Sequence, residues 1–154
     1  MKTKKTLALY ILLFLLAFLS LGALAGGAAL IIEPNGGIMQ MPVTMLKGSP
    51  FNNFLIPGMI LFTVLGVFPA LLLYPLIKKP QLVWANLLNI YSDMYWAWTY
   101  TLYVGFALII WINVQIFIVK GVHIIHIIYV LLGLVIIAVA LLPMVKKHYL
   151  KNEQ

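Results

Sequence analysis

Four long apolar runs that contain no charged side chain dominate this sequence. They cover about residues 7–32, 54–77, 95–119 and 122–145. A membrane-spanning α-helix needs about 20 such residues, whereas a β-barrel strand alternates apolar and polar residues over about ten. The sequence therefore predicts an all-α membrane protein, with four transmembrane helices packed as a bundle in a single domain over residues 1–154.

The composition supports a membrane protein over a soluble one. Charged residues make up only 8% of the 154 residues, against about 25% in soluble domains, and hydrophobic residues make up 64%. The chain has no cysteine, which excludes disulfides, thiolate zinc sites and iron–sulfur clusters. Its net charge of +7 comes from scattered lysines, a pattern that favours anionic lipid head groups over nucleic acid. The predicted partner is therefore the lipid bilayer, with no nucleic acid.

The lysines also predict how the chain is oriented. Eight of them fall on one side of the four-span arrangement: Lys2, Lys4, Lys5, Lys78, Lys79, Lys146, Lys147 and Lys151. Only Lys47 and Lys120 fall on the other side. Because basic residues concentrate on the cytoplasmic side, we predict a multi-pass protein of the bacterial cytoplasmic (inner) membrane with both termini in the cytoplasm.

The first apolar run has an alternative interpretation as a secretory signal peptide. A lysine-rich start, an apolar stretch and the sequence Ala23-Leu24-Ala25 before Gly26 match that pattern. The apolar run continues to Ile32, however, which is longer than the apolar region of a typical signal peptide. We therefore predict an uncleaved first helix, with cleavage of residues 1–25 as the alternative.

A structured outer loop is predicted between the first and second helices. It opens at Glu33 with a cluster of turn-forming residues, and residues 38–46 are too apolar for a solvated loop. Ser49 followed by Pro50 is typical of a helix N-cap and first turn, which predicts that the second helix begins near Pro50. Within that helix, Pro69 lacks a backbone N–H and is expected to produce a kink.

Residues 81–92 have an amphipathic pattern ahead of the third helix. Apolar side chains such as Trp84 and Leu87 fall on one side, and Asn86 and Asn89 fall on the other. This pattern predicts a short cytoplasmic interfacial helix before the third transmembrane helix. The alternative is that the third helix starts early as one long, tilted helix.

Glycines at helical spacing predict where the helices approach one another most closely. Gly22 and Gly26 are four residues apart in the first helix, Gly58 and Gly66 lie in the second, and Gly105 lies in the third. Small residues let the backbones of membrane helices come into contact. These five glycines are therefore predicted to be helix-packing positions.

A polar cluster is predicted near the outer ends of the helices. Its members are Glu33, Asn113, Gln115, His123 and His126. His123 and His126 share one helix face, but two histidines are not a metal site without further ligands. We expect His126 to form a hydrogen bond across the bundle to Asn113 or Gln115. No catalytic, metal-binding or cofactor-binding residue is predicted, and a metal or haem protein that uses His126 is the weakest alternative.

Two stretches of the chain have a familiar pattern. They run from Glu33-Pro34-Asn35-Gly36-Gly37 through Gly58, and from Trp96-Ala97-Trp98 through Gln115. Together they resemble a family of uncharacterised small bacterial four-helix integral membrane proteins. The resemblance covers most of the chain and implies the four-helix architecture, without implying an activity.

Two functions from different classes fit the sequence. Catalytic residue patterns are lacking, which favours a non-enzymatic accessory or interaction subunit with a membrane-protein partner, or a homo-oligomer. The alternative is a small transporter, or a protein that binds lipid or another hydrophobic ligand in a pocket near the outer face. A bundle filled by side chains would favour the first function, whereas a polar cavity that reaches the midplane would favour the second.

Overall fold

The computed structural model describes residues 6–151 of the chain. Four of its helices are long and apolar enough to cross a membrane, and we number them spans 1 to 4. Their bounds are Leu7–Ile32, Leu55–Lys78, Trp96–Val119 and Ile124–Leu141. The spans pack against one another, and residues 6–151 contain no β-strand. These observations confirm the predicted fold class, an all-α bundle of four helices that can cross a membrane.

The spans alternate in direction, so the described chain begins and ends at the same end of the bundle. We call this the basic end, because it includes Lys78, Lys79 and the lysines of a short helix, Pro143–Tyr149. We call the opposite end the loop end. It is formed by residues 33–54, which include the 3₁₀ helix Val43–Leu46, and by residues 120–123.

Span 4 ends at Leu141, before the predicted position near residue 145, because of Pro143. A proline drives the preceding residue out of the helical region, and Leu142 has an extended backbone with a ψ angle of 136°. Pro143 then begins a separate helix, since proline fits the first helical position. The chain therefore turns at the basic end instead of continuing as one helix.

Span 2 begins at Leu55. The prediction that this helix begins near Pro50 is therefore wrong. The Ser49 hydroxyl accepts a hydrogen bond from the backbone N–H of Phe51 at 3.2 Å, so Ser49 stabilises a turn in the loop. Two residues before the helix, the Asn53 side chain accepts a hydrogen bond from the N–H of Leu55 at 3.0 Å. The serine–proline signal thus marks a turn ahead of the helix start.

The middle of span 2 is a π-helical segment, Leu61–Val67, directly before Phe68 and Pro69. Pro69 has no N–H to donate to a carbonyl one turn earlier. In a π turn, each backbone carbonyl accepts a hydrogen bond from the N–H five residues later instead of four. A carbonyl can therefore form its hydrogen bond past the missing N–H of Pro69. The carbonyl of Gly66 within this segment also accepts a hydrogen bond from the Ser20 hydroxyl of span 1 at 2.8 Å.

Spans 3 and 4 cross at a pair of facing glycines. A Cβ atom built on Gly105 would lie 3.2 Å from the carbonyl oxygen of Gly133, and one built on Gly133 would lie 3.1 Å from the oxygen of Gly105. Gly58 and Gly66 of span 2 are equally close to span 1, where a Cβ would lie 2.7 Å and 2.9 Å from leucine side chains. The structure therefore places these three predicted glycines, Gly58, Gly66 and Gly105, at close helix contacts.

Side chains fill the half of the bundle toward the basic end. Fully buried residues there include Leu9, Leu12, Leu16, Leu76, Trp98 and Ile136. The Trp98 indole donates a hydrogen bond to the carbonyl of Ala140 at 2.8 Å, and the buried Tyr149 hydroxyl donates to the carbonyl of Leu76 at 2.8 Å. The Trp98 and Tyr149 donors are therefore paired with backbone carbonyls, while leucines and other apolar side chains surround them.

The C-terminal segment is attached to the connection between spans 2 and 3. Met94 and Leu150 form an isolated antiparallel β-bridge, and the N–H of Tyr95 donates to the carbonyl of Tyr149 at 2.8 Å. Burial raises the pKa of Tyr95 to about 12 and raises the pKa of Tyr149 as well. Both phenols therefore stay protonated in the folded chain well above the usual range of tyrosine.

Lys79 links span 2 to the same C-terminal segment. Its ammonium group donates a hydrogen bond to the carbonyl of His148 and lies 4.9 Å from the centroid of the Tyr149 ring. Burial lowers the pKa of Lys79, because the charged form loses part of its hydration. The carbonyl and the aromatic face compensate for some of that lost hydration.

Where the sequence predicts an interfacial helix, over residues 81–92, the structure has a 3₁₀ helix of five residues, Trp84–Leu88. Two tyrosines of span 3 hold it beside the bundle. The Tyr100 hydroxyl donates to the carbonyl of Ala85 at 2.8 Å, and the Tyr103 hydroxyl donates to the carbonyl of Leu88 at 2.7 Å. The helix therefore runs beside the first turns of span 3, and span 3 itself begins at Trp96.

Candidate functional site

A cavity of about 380 Å³ lies between the four spans on the side of the loop end. Its wall is formed by Leu19, Gly22, Ala23, Gly26, Met39, Met41, Met45, Leu61, Leu65, Leu108, Trp111, Ile112, Gln115, Val119, His123, Ile125, His126 and Tyr129. The volume falls within the roughly 300–1,000 Å³ that is usual for small-molecule sites. Most of the wall is apolar, and its polar groups are few.

The cavity extends to the middle of the bundle. Leu19, Leu65 and Leu108 lie near the midpoints of spans 1, 2 and 3, and all three contribute to the wall. Leu61 and Leu65 both belong to the π-helical segment of span 2. π turns often occur at functional sites, and this irregular part of span 2 forms part of the cavity wall.

Three methionines of the connection between spans 1 and 2 cover the cavity at the loop end. Met39, Met41 and Met45 all contribute to the wall. The loop is fixed close by, where Leu46 and Phe54 pack with Leu30 of span 1 in a separate apolar cluster. Methionine side chains are unbranched and flexible, so they can adapt to the shape of a bound apolar molecule.

Three residues of the predicted polar cluster come together at this cavity. Gln115 of span 3 and His126 of span 4 lie in its wall, together with His123 just before span 4. The cluster predicted from the sequence omits Tyr129, although Tyr129 lies three residues after His126 and so shares its helix face. That spacing was the signal that could have identified Tyr129.

The other two members of the predicted cluster lie elsewhere. Asn113 is exposed on a different face of span 3, and its side-chain amide donates to the carbonyl of Ile109 in the same helix at 2.8 Å. Glu33 packs against Gly37 within the loop. Neither residue forms part of the cavity wall.

His126 is held by the start of its own helix. Its Nδ1 accepts a hydrogen bond from the backbone N–H of His123 at 3.1 Å, as part of a capping box. The predicted hydrogen bond from His126 across the bundle to Asn113 or Gln115 is therefore wrong, because the capping geometry determines the ring orientation. An imidazole that accepts at Nδ1 is neutral and carries its proton at Nε2. His126 thus presents an N–H donor at Nε2.

Three polar side chains of the wall have no hydrogen-bond partner in the part of the chain that the structure describes. Gln115 and the Tyr129 hydroxyl form no such bond with residues 6–151, and the indole N–H of Trp111 is buried without an acceptor there. The Tyr129 hydroxyl lies against Gly22, since a Cβ on that glycine would be 2.8 Å from it. Unpaired polar groups inside a membrane bundle are costly unless they have a function.

The cavity wall is lined by uncharged side chains and two histidines. It contains no aspartate, glutamate or lysine from the described residues. Within residues 6–151 there is also no group of three or more histidine, aspartate and glutamate side chains that could hold a metal ion. His123 and His126, whose rings are 5.5 Å apart, therefore gain no third metal ligand there.

Two of the predicted packing glycines, Gly22 and Gly26, line the cavity. A Cβ on Gly26 would meet only a Leu61 methyl group at 3.6 Å, which is an ordinary contact distance. The close contact belongs to the next residue, because a Cβ on Gly27 would lie 2.7 Å from the backbone nitrogen of Phe62. Gly26 thus leaves space that a larger side chain would occupy, whereas Gly22 is in close contact with the Tyr129 hydroxyl of span 4.

No family model, curated protein or solved structure matches this chain. The resemblance to a four-helix bacterial family therefore stays a prediction. What the site can do is inferred from its own residues.

Proposed function

We propose that this protein binds a hydrophobic small molecule within the membrane, in the cavity between its four spans. The observation that carries the proposal is a mostly apolar cavity that reaches the middle of the bundle and has a few unpaired polar groups at one end. Sites for small molecules have this combination of an apolar wall and a few polar groups that fix orientation. The sequence alone favours an accessory subunit, whereas the cavity supports the ligand-binding alternative.

Binding explains the cavity better than transport does. The half of the bundle toward the basic end is filled, with Leu16, Leu76 and Ile136 each fully buried. A molecule in the cavity therefore has a closed floor below it, and the adaptable methionine cover lies at the opposite end. This arrangement suits a site that takes up and releases its ligand on the side of the loop end.

We also propose that the basic end faces the cytoplasm of a bacterial cell and that the protein lies in its cytoplasmic membrane. The support is the distribution of lysines, with Lys78, Lys79, Lys146 and Lys147 at one end and Lys47 and Lys120 at the other. Basic residues flanking apolar helices concentrate on the cytoplasmic side. In this orientation the cavity lies toward the outer leaflet.

A cavity-filling variant tests the proposed function. Gly26→Leu places a side chain in the cavity without a close contact, and Ala25→Leu is the matched control because Ala25 is exposed on the neighbouring face of span 1. We expect 1-dodecanol to raise the unfolding midpoint of the wild type and of Ala25→Leu, because a ligand that binds the folded state stabilises it. The midpoint of Gly26→Leu should not respond. Equal shifts in all three proteins would contradict binding in this cavity.

A further inference from the structure

We propose that the ligand of this cavity is a single-chain amphiphile whose head group is uncharged and accepts hydrogen bonds. The inference rests on the proposed function and adds the chemical class of the ligand. Its hydrocarbon chain would extend toward Leu65 and Leu108 at the middle of the bundle. Its head group would lie at Gln115, His126 and Tyr129, near the loop end.

The polar groups of the wall select a head group that accepts hydrogen bonds. His126 presents only a donor to the cavity, because its Nδ1 is engaged with the backbone of His123. The Tyr129 hydroxyl and the Gln115 amide can each donate as well, and both are without a partner among the described residues. Ester, carbonyl and hydroxyl oxygens satisfy three donors of this kind.

The wall also selects against a charged head group. None of the described lysines, and no aspartate or glutamate, contributes to it. A phosphate or carboxylate drawn into this site would lose its hydration without meeting an opposite charge, which is costly in a low-dielectric environment. An uncharged head group avoids that penalty and still satisfies the donors.

The size of the cavity favours one hydrocarbon chain. Its volume of about 380 Å³ lies toward the lower end of the range for small-molecule sites. The residues that line it come from all four spans, and Ala23, Leu65 and Leu108 among them are buried. A diacyl lipid would have to leave one of its chains outside the bundle.

Photolabelling of the full-length protein in detergent tests this assignment. The probes are a monoacylglycerol and an alkyl phosphate of the same chain length, each with a diazirine at the same position in the chain. We expect the monoacylglycerol to attach to residues of the cavity wall more strongly than the anionic alkyl phosphate does. Gln115→Leu and Tyr129→Phe should each lower its attachment by about three- to tenfold, as expected for the loss of one hydrogen bond.

Asn113→Leu is the matched control for Gln115→Leu, since both amides belong to span 3 and only Gln115 lines the cavity. Labelling of Asn113→Leu should equal that of the wild type. Tyr129→Phe keeps the ring in place, so it remains informative if Gln115→Leu fails to fold. Equal or stronger labelling of the wall by the alkyl phosphate would overturn the uncharged head group and leave the ligand site intact. Labelling of Gly26→Leu at the wild-type level would instead overturn the proposed function itself.

Discussion

At the scale of single residues, Gly26 and Gly27 show what determines the site. They are adjacent in span 1 and about 100° apart around the helix. Gly26 lines the cavity, whereas Gly27 touches the backbone of Phe62. The spacing of Gly22 and Gly26 could be detected in the sequence. The rotation of the helix about its own axis could not, because it depends on packing against span 2. That rotation determines which glycine leaves an open space.

This difference leads to a prediction about stability. Gly27→Leu should lower the free energy of unfolding by about 1–3 kcal/mol, the usual cost of overpacking, because its Cβ would lie 2.7 Å from the backbone of Phe62. Gly26→Leu should change stability much less, since its side chain enters the cavity. Chemical unfolding of both variants in the same detergent measures the contrast. Equal losses of stability would show that the cavity is absent or already filled.

At the scale of helices, local sequence signals predicted the spans better than their ends. Length and apolarity are properties of the segment itself, so the apolar runs predicted for spans 1 to 3 agree with the helices to within one residue, although the serine–proline signal predicts too early a start for span 2. The end of span 4 depends on Pro143, and the start of span 2 depends on which backbone group Ser49 bonds. The attachment of Tyr149 to the connection between spans 2 and 3 joins residues distant in the chain, which no local pattern indicates.

The buried tyrosines at the basic end predict how stability depends on pH. Burial raises the pKa of Tyr95 to about 12 and raises that of Tyr149, whereas unfolded tyrosine titrates near pH 10. Because deprotonation is easier in the unfolded chain, this contribution to stability is fully present below about pH 10 and is lost as the pH rises toward about 12.

Unfolding midpoints measured between about pH 8 and pH 12 test this dependence. Tyr149→Phe removes one of the two phenols and the hydrogen bond to Leu76, so its midpoint should be lower at pH 8 but fall less steeply at high pH. Burial also lowers the pKa of Lys79, but Lys79 is present in both proteins, so the comparison between them isolates the contribution of Tyr149. A midpoint that falls equally steeply in the variant would show that Tyr149 does not contribute to the pH dependence.

At the scale of the whole molecule, the cavity exists only because four spans and a loop meet around it. The sequence predicted that Gln115, His123 and His126 would be near one another, because all three are polar residues close to helix ends. It did not indicate that they would line an apolar cavity with Tyr129. The shape of that space depends on the mutual rotation of the spans and on the π-helical segment of span 2.

Labelling of single cysteines tests the proposed orientation of the whole molecule. The native chain has no cysteine, so each introduced thiol is the only one present. A membrane-impermeant maleimide added outside intact cells should label Lys47→Cys and should label Lys151→Cys only after the cells are opened, because basic residues concentrate on the cytoplasmic side. Labelling of Lys151→Cys in intact cells would place the basic end outside.

Native mass spectrometry of the protein purified from membranes shows whether the cavity holds one hydrophobic molecule per chain. We expect the wild type and Ala25→Leu to retain a single adduct of the same mass at activation energies that remove annular lipids and detergent. Gly26→Leu should appear at the mass of the chain alone, because its side chain occupies the space. The same adduct in all three proteins, or no retained adduct in the wild type, would contradict the account.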